Sequence, residues 1–189
     1  MRNIRLAAAI AAAAALVPLG ACSKSDTAPA ATASDSNRTL AAAIGAAPGL
    51  TTISTALSEA GLADVFDGPG SYTVLAPDDD AFAKLGKEES VLTDPAHRAE
   101  LVAILRGHIL PGHLTPDAIR QAIADKKGPV SMRTLADGMV TFAVNGNEIT
   151  ATGPDGAKAT IDGAALIASN GVVLPLDGLV KTAEPEKAS

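Results

Sequence analysis

Thr73-Val74-Leu75-Ala76-Pro77-Asp78-Asp79-Asp80-Ala81-Phe82 changes character at its middle. Together with Tyr72, the residues up to Ala76 form a short apolar, β-prone run, the pattern of a buried strand bounded by turn signals. Pro77 ends it, because proline has no N–H for a sheet ladder. Asp78, Asp79 and Asp80 then open a short helix carrying Phe82 and Leu85, with acidic side chains where a helix start has free N–H groups and a positive dipole end.

Upstream of this stretch, the periodicity is helical. Thr39 is placed to cap a helix carrying Leu40, Ala43 and Ile44, which Pro48-Gly49 breaks. A second helix is expected from Leu50 to Ala60, since Ile53, Ala56, Leu57 and Ala60 fall on one stripe. Gly61 suits the left-handed position after it, and Gly68-Pro69-Gly70 marks a turn. Downstream, Thr93 is read as capping a short turn around Pro95. His97 to Leu105 has a helical face of Leu101, Ile104 and Leu105. Thr115-Pro116-Asp117 is a helix start, with a cap followed by proline at the first helical position. Its stripe is Ala118, Ile119, Ala122 and Ile123, and Gly128-Pro129 follows its end.

Beyond Pro129 the period drops to two. Val140, Phe142 and Val144 alternate with Thr141, Ala143 and Asn145, and Asn145-Gly146 is a hairpin signal. Gly153-Pro154-Asp155-Gly156 is another turn. Strands are expected at Ala157 to Ile161, Leu166 to Ala168, Val172 to Leu176 and Leu179-Val180, punctuated by Asn170-Gly171 and Asp177-Gly178. The glycine-rich turns read as hairpin chemistry rather than ligand loops. A helix-rich half feeding a strand-rich half is the signature of an α+β domain rather than of repeated βαβ units.

The N-terminus carries an address. Arg2 and Arg5 precede an apolar run from Leu6 to Val17, too short to span a bilayer comfortably, and then Leu19-Gly20-Ala21-Cys22. This is the layout of a secretory signal peptide. The tetrapeptide resembles the bacterial lipobox, which implies cleavage after Ala21 and a diacylated Cys22. The alternative is an ordinary signal peptide with Cys22 left as a free thiol. Residues 22–37 are rich in Ser, Thr, Ala and Asp and have almost nothing bulky to bury, so they read as a flexible tether of roughly 20 Å average reach. Residues 183–189 read as a loose tail. Ser23 stands where the inner-membrane retention signal of many lipoproteins has Asp. In a host with two membranes this favours the outer membrane facing the periplasm, or the cell surface.

The full chain has 15 basic and 21 acidic residues, and removing Arg2 and Arg5 with the leader takes the net charge from −6 to −8. Such a domain repels phosphate backbones, which argues against nucleic acid. It has no polybasic help toward anionic lipid, so anchoring rests on acyl chains. A single cysteine permits no internal disulfide. Without Trp, and with Tyr72, Phe66, Phe82 and Phe142 as the only aromatics, the core must be aliphatic, and the composition argues against a stacking surface for sugars or bases.

Three segments carry a family resemblance: residues 73–82; Leu105-Arg106-Gly107-His108-Ile109-Leu110-Pro111-Gly112; and Asn170-Gly171-Val172-Val173-Leu174-Pro175-Leu176-Asp177-Gly178. In order and spacing they resemble the signature boxes of the fasciclin (FAS1) domain over about Arg38 to Thr182. The motif positions are Thr73, Ala76, Pro77, Asp78 and Phe82, then His108, Pro111 and Gly112, then Asn170, Gly171, Asp177 and Gly178. Two departures stand out: Gly107 where the family often has Tyr, and Pro175 where it commonly has His and Ile nearby. The resemblance implies a single domain, a β-sandwich-like wedge with an α-helical layer. It also implies a non-catalytic module acting in adhesion and matrix contact, with an unidentified protein or surface as partner. Some members carry carotenoids, so a carrier of an apolar small molecule such as a carotenoid or lipid, held in a groove between helices and sheet, is the alternative. The integrin-linked tyrosine-histidine element is incomplete here and is not carried over.

The residues bear few marks of chemistry. The three aspartates fit helix capping better than a cation site. His108 and His113 are spaced for a strand and turn rather than a shared zinc face. His108 is expected as a partly buried ring tying its helix to the next strand, with His97 and His113 exposed. There is no Gly-x-Ser-x-Gly, phosphate loop or dinucleotide fingerprint. The expectation is therefore no enzyme, no metal and no cofactor.

Overall fold

A computed structural model describes residues 33–34, 37–85 and 95–181. The element order is β1 (Ala33–Ser34), α1 (Leu40–Ala46), α2 (Thr51–Glu59), α3 (Ala63–Asp67), β2 (Tyr72–Pro77), α4 (Asp79–Ala83), a 3₁₀ turn (Pro95–His97), α5 (Arg98–Gly107) and β3 (Ile109–Pro111). There follow α6 (Pro116–Lys126), β4 (Val130–Arg133), β5 (Met139–Asn145), β6 (Glu148–Thr152), β7 (Lys158–Thr160), β8 (Leu166–Ala168) and β9 (Gly171–Leu176). Cys22, Thr93 and residues 183–189 lie outside the described residues. Ala33–Ser34, inside the stretch read as tether, pairs in parallel with Leu166 and Ile167 of β8.

The strands form two sheets, ordered β1-β8-β9-β2-β3 and β4-β5-β6-β7. The centre of the first is the parallel pair β2 and β9, in register from Tyr72 opposite Gly171 to Pro77 opposite Leu176. These strands carry the first and third signature segments, so two boxes far apart in sequence are neighbours on one ladder. Their side chains alternate. Val74, Ala76 and Val173 face a core shared with α1, α2, α4 and α5, around Leu40, Ile44, Ile53, Leu57, Phe66, Phe82 and Leu101. Leu75, Val172, Leu174 and Leu176 face a second core with Val140, Phe142, Ile149 and Ala151 of the other sheet. The result is three layers: helices, a five-stranded sheet and a four-stranded sheet. This is the expected α+β architecture.

The helix starts follow local chemistry. Thr39, Asp78 and Thr115 each accept a hydrogen bond from the N–H three residues on. Two helix ends turn on a left-handed residue. Gly61 (φ +72°) closes α2, with the Leu62 N–H bonded to Leu57 O. At the end of α6 the same left-handed position is taken by Lys127 (φ 55°), and Gly128 merely follows, its N–H bonded to Ile123 O. The α6 stripe is also narrower than read. Ile119 is buried and Ile123 half-buried against the second core, whereas Ala118 and Ala122 are exposed, because α6 lies on the sheet by one edge.

Three further corrections concern the strand half and the helical layer. The β5–β6 loop is Gly146-Asn147, not Asn145-Gly146, since Asn145 still pairs with Glu148; Gly146 at φ +59° supplies the left-handed first position of a II′-type turn. Leu179-Val180 is not a strand: the Val180 N–H is bonded to a side chain instead of a ladder partner. α3 is a helix that the sequence pattern did not announce, only five residues long and anchored by Phe66.

Candidate functional site

The signature residues converge on the central ladder. Thr73 is buried in β2, donating its hydroxyl to Gly112 O at 2.7 Å and accepting from the Leu114 N–H at 2.9 Å. One side chain thus fixes the chain reversal after β3, where Pro111 ends the strand opposite Tyr72 and Gly112 takes φ +97°. Ala76 is fully buried and faces the helices, Pro77 closes the β2 ladder, and Phe82 fills the helical core.

The aspartates act as caps of two different helices. Asp78 caps α4 through the Ala81 N–H at 2.6 Å. Asp79 reaches back to α2, accepting from Thr52 N–H at 2.7 Å and Thr51 N–H at 3.3 Å. Partial burial raises the Asp79 pKa, but the bonds from Thr52 and Thr51 outweigh it and hold the carboxyl below its ordinary value. Among the described residues no group of three or more His, Cys, Asp or Glu side chains is arranged to hold a metal ion.

Asn170 is a clasp rather than turn punctuation. It sits in the Ser169-Asn170 loop between β8 and β9. Its Oδ1 accepts from the Leu40 N–H at 2.8 Å, and its Nδ2 donates to Phe66 O at 2.6 Å and Gly68 O at 2.8 Å. It therefore joins the start of α1 to the end of α3. Gly171 is required by close approach: a Cβ there would lie 2.0 Å from Tyr72 O and 2.6 Å from the Leu40 side chain. Asp177 accepts from the Thr160 N–H at 2.6 Å, and Gly178 packs over Ala159, which ties the end of the first sheet to β7.

His108 is more buried than expected and joins a different pair of elements. Its Nδ1 lies 3.0 Å from Ile104 O, one turn back in α5, and its Nε2 accepts from the Val180 N–H at 3.0 Å. A carbonyl on one side and an N–H on the other require the neutral tautomer with the proton on Nδ1. Burial pushes its pKa down to about 4, against smaller opposing pulls from the Ile104 carbonyl and Asp155. The ring secures residues 179–181, not the strand after α5. His97 and His113 are exposed, as expected.

A model of the fasciclin domain family matches residues 48–181. The chain belongs to the fasciclin domain family. It is 31% identical to Protein sll1483 of Synechocystis over 150 residues, 78% of this chain and 76% of that protein. It is 30% identical to the transforming growth factor-beta-induced protein ig-h3 of Sus scrofa over 131 residues, spanning 17% of that longer protein. It is 27% identical to human Stabilin-1 over 154 residues, spanning 6% of it. A FAS1 domain pair from the insect cell adhesion molecule fasciclin I shares the fold, with a TM-score of 0.68 at 12% identity over 77% of this chain and 51% of that one.

Within this fasciclin domain both departures have local reasons. Pro175 sits in β9 beyond the β8 ladder, which stops opposite Val173, so no β8 partner waits for its missing N–H. Gly107 leaves space for the closing segment: a Cβ there would lie 2.9 Å from Lys181 Cγ and 3.0 Å from its Cβ. On the opposite flank, a Cβ on Gly153 would lie 1.5 Å from Val180 O. Residues 179–181 thus form a strap threaded between two glycines and pinned by His108. Leu179 enters the helical core and Val180 the inter-sheet core. Sequence reading could not foresee the strap, since its partners lie in α5 and in the β6–β7 turn.

The helical layer also holds a cleft of about 120 Å³ lined by Ala41, Ile44, Ser54, Leu57, Ser58, Ala63 and Phe66. It lies among α1, α2 and α3, not between helices and sheet. Among the described residues no helix is long and apolar enough to cross a membrane.

Proposed function

We propose that this fasciclin domain is a non-catalytic contact module, held at a bacterial cell envelope by an acylated Cys22 and presented to a protein or surface partner. The observation that carries the reading is how the signature polar groups are used. Thr73, Asp78, Asp79, His108, Asn170 and Asp177 all bond backbone groups of the same domain. Side chains committed in this way build a rigid scaffold instead of a reacting centre, which leaves the outer surfaces to make contacts. The FAS1 domain pair that shares the fold comes from a cell adhesion molecule, and a contact role for this chain is in keeping with that.

Cys22 supplies the anchor and residues 23–32 the spacer to the domain. Confinement at a surface raises the effective concentration of a weak contact. The cleft among α1, α2 and α3, about 120 Å³, is well under the ~300–1,000 Å³ of typical small-molecule pockets, so the carrier reading gains no support from it. Full-length protein expressed in a bacterial host tests the proposal. The membrane fraction should hold the protein with acyl mass on Cys22, and Cys22→Ser should move it to the soluble fraction. A serine variant recovered wholly in membranes would overturn the anchor. Cross-linking should recover a partner with the colourless domain, whereas visible absorbance or stoichiometric extractable lipid would favour the carrier.

A further inference from the structure

The chain contains two Asn-Gly pairs, Asn145-Gly146 and Asn170-Gly171. Asn-Gly is the dipeptide with least steric resistance to ring closure, because glycine has no Cβ to shield its nitrogen. The fold gives the two pairs opposite surroundings.

Asn145 ends β5 at an exposed hairpin tip, and Gly146, Asn147 and Glu148 beside it are exposed as well. No described residue bonds the Asn145 side-chain amide or the Gly146 N–H. A Cβ added at Gly146 would meet nothing within 4 Å, so the space around the attacking nitrogen is open. Asn170 is bound three times, to the Leu40 N–H and to the carbonyls of Phe66 and Gly68. Gly171 lies hard against Tyr72 O and the Leu40 side chain. Turning the Asn170 carboxamide onto the Gly171 nitrogen requires all three bonds to break.

We propose that Asn145 is a site of spontaneous covalent modification, succinimide formation followed by hydrolysis, and that the clasp around Asn170 protects the second pair. The Gly146 amide nitrogen bonds to Asn145 Cγ and the Cγ–Nδ2 bond breaks. The proton from Gly146 N–H leaves with the departing nitrogen as ammonia. Water then opens the ring at either carbonyl, giving an aspartyl or an isoaspartyl linkage at position 145. No oxidant or reductant is needed.

The product changes the hairpin. Asn145 is the direct cross-strand partner of Glu148, so a new carboxylate stands opposite an existing one, a destabilising pair. The isoaspartyl form also adds a backbone methylene at a two-residue turn whose closure depends on register. The Arg120 guanidinium bonds Asn147 O at this tip, so the tie between α6 and the hairpin loosens with it.

Peptide mapping of the intact full-length protein, held folded in mildly alkaline buffer at physiological temperature, is the test. Trypsin separates the two sites, on peptides 134–158 and 159–181. The first should gain one mass unit, localised by fragmentation to Asn145, as a mixture of aspartyl and isoaspartyl forms. With each clasp hydrogen bond weighing roughly fivefold in an opening equilibrium, Asn145 should convert about a hundredfold faster than Asn170. In concentrated urea the two rates should converge. Equal rates in the folded protein, or an Asn145 that stays intact while Asn170 converts, would overturn the proposal.

Discussion

At the scale of single residues, His108 controls a pH dependence. The folded ring is neutral and bonded on both nitrogens, so a second proton on Nε2 would face the Val180 N–H and break that bond. Its folded pKa of about 4 lies below the ordinary 6.5 of the unfolded chain. The unfolded state therefore binds more protons between those values, and stability falls as pH drops from about 6.5 toward 4. The contribution is full above 6.5 and amounts to on the order of 3 kcal/mol. Urea melts at stepped pH should show this slope, and His108→Gln should flatten it at some cost in stability at neutral pH. A slope unchanged in the variant would assign the effect to the carboxylates. Asp79 adds a separate loss at lower pH: its depressed pKa means stability present above the ordinary carboxylate value and lost as pH falls through the folded one.

At the scale of elements, the strap is the most exacting piece of the fold. Gly153 has an ordinary backbone but no room, since its Cβ would overlap Val180 O. Gly156 in the same turn has φ +85° and open space around it. Gly153→Ala should therefore displace residues 179–181, lose at least about 2 kcal/mol and speed hydrogen exchange at Val180, whereas Gly156→Ala should cost only about 1 kcal/mol of local strain. Equal, small losses in both variants would show that the strap tolerates the crowding. The same contrast explains what could be read from sequence. Thr39, Asp78 and Thr115 announce their helices because a cap and its partner are three residues apart. The 3.6 and 2.0 periods announce faces. The Asn170 clasp spans more than a hundred residues, and Asp79 reaches a helix 27 residues back, so no local pattern encodes either. The one-residue shift of the β5–β6 loop belongs to the same class, because the pairing of Asn145 with Glu148 sets it against local preference.

At the scale of the whole molecule, the two hydrophobic cores share their walls. β2 and β9 each send alternate residues into the helical core and the inter-sheet core, and the strap adds Leu179 to one and Val180 to the other. Loss of either core strips one face of the central parallel pair, so the domain should unfold as one cooperative unit, as domains of this size generally do. Its composition offers a local probe. Tyr72 is the only tyrosine, there is no tryptophan, and the Tyr72 ring packs edge-on against Phe66 at 5.7 Å on the helical side. Leu174 lies in the other core and is fully buried. Leu174→Ala should cost about 2–5 kcal/mol, and the urea midpoint read from Tyr72 fluorescence should fall by the same amount as that read from far-UV circular dichroism, with the slope unchanged. A tyrosine transition that stays in place while the circular dichroism midpoint drops would mean that the helical layer holds without the inter-sheet core. The strap would then fasten two separately stable layers instead of completing one.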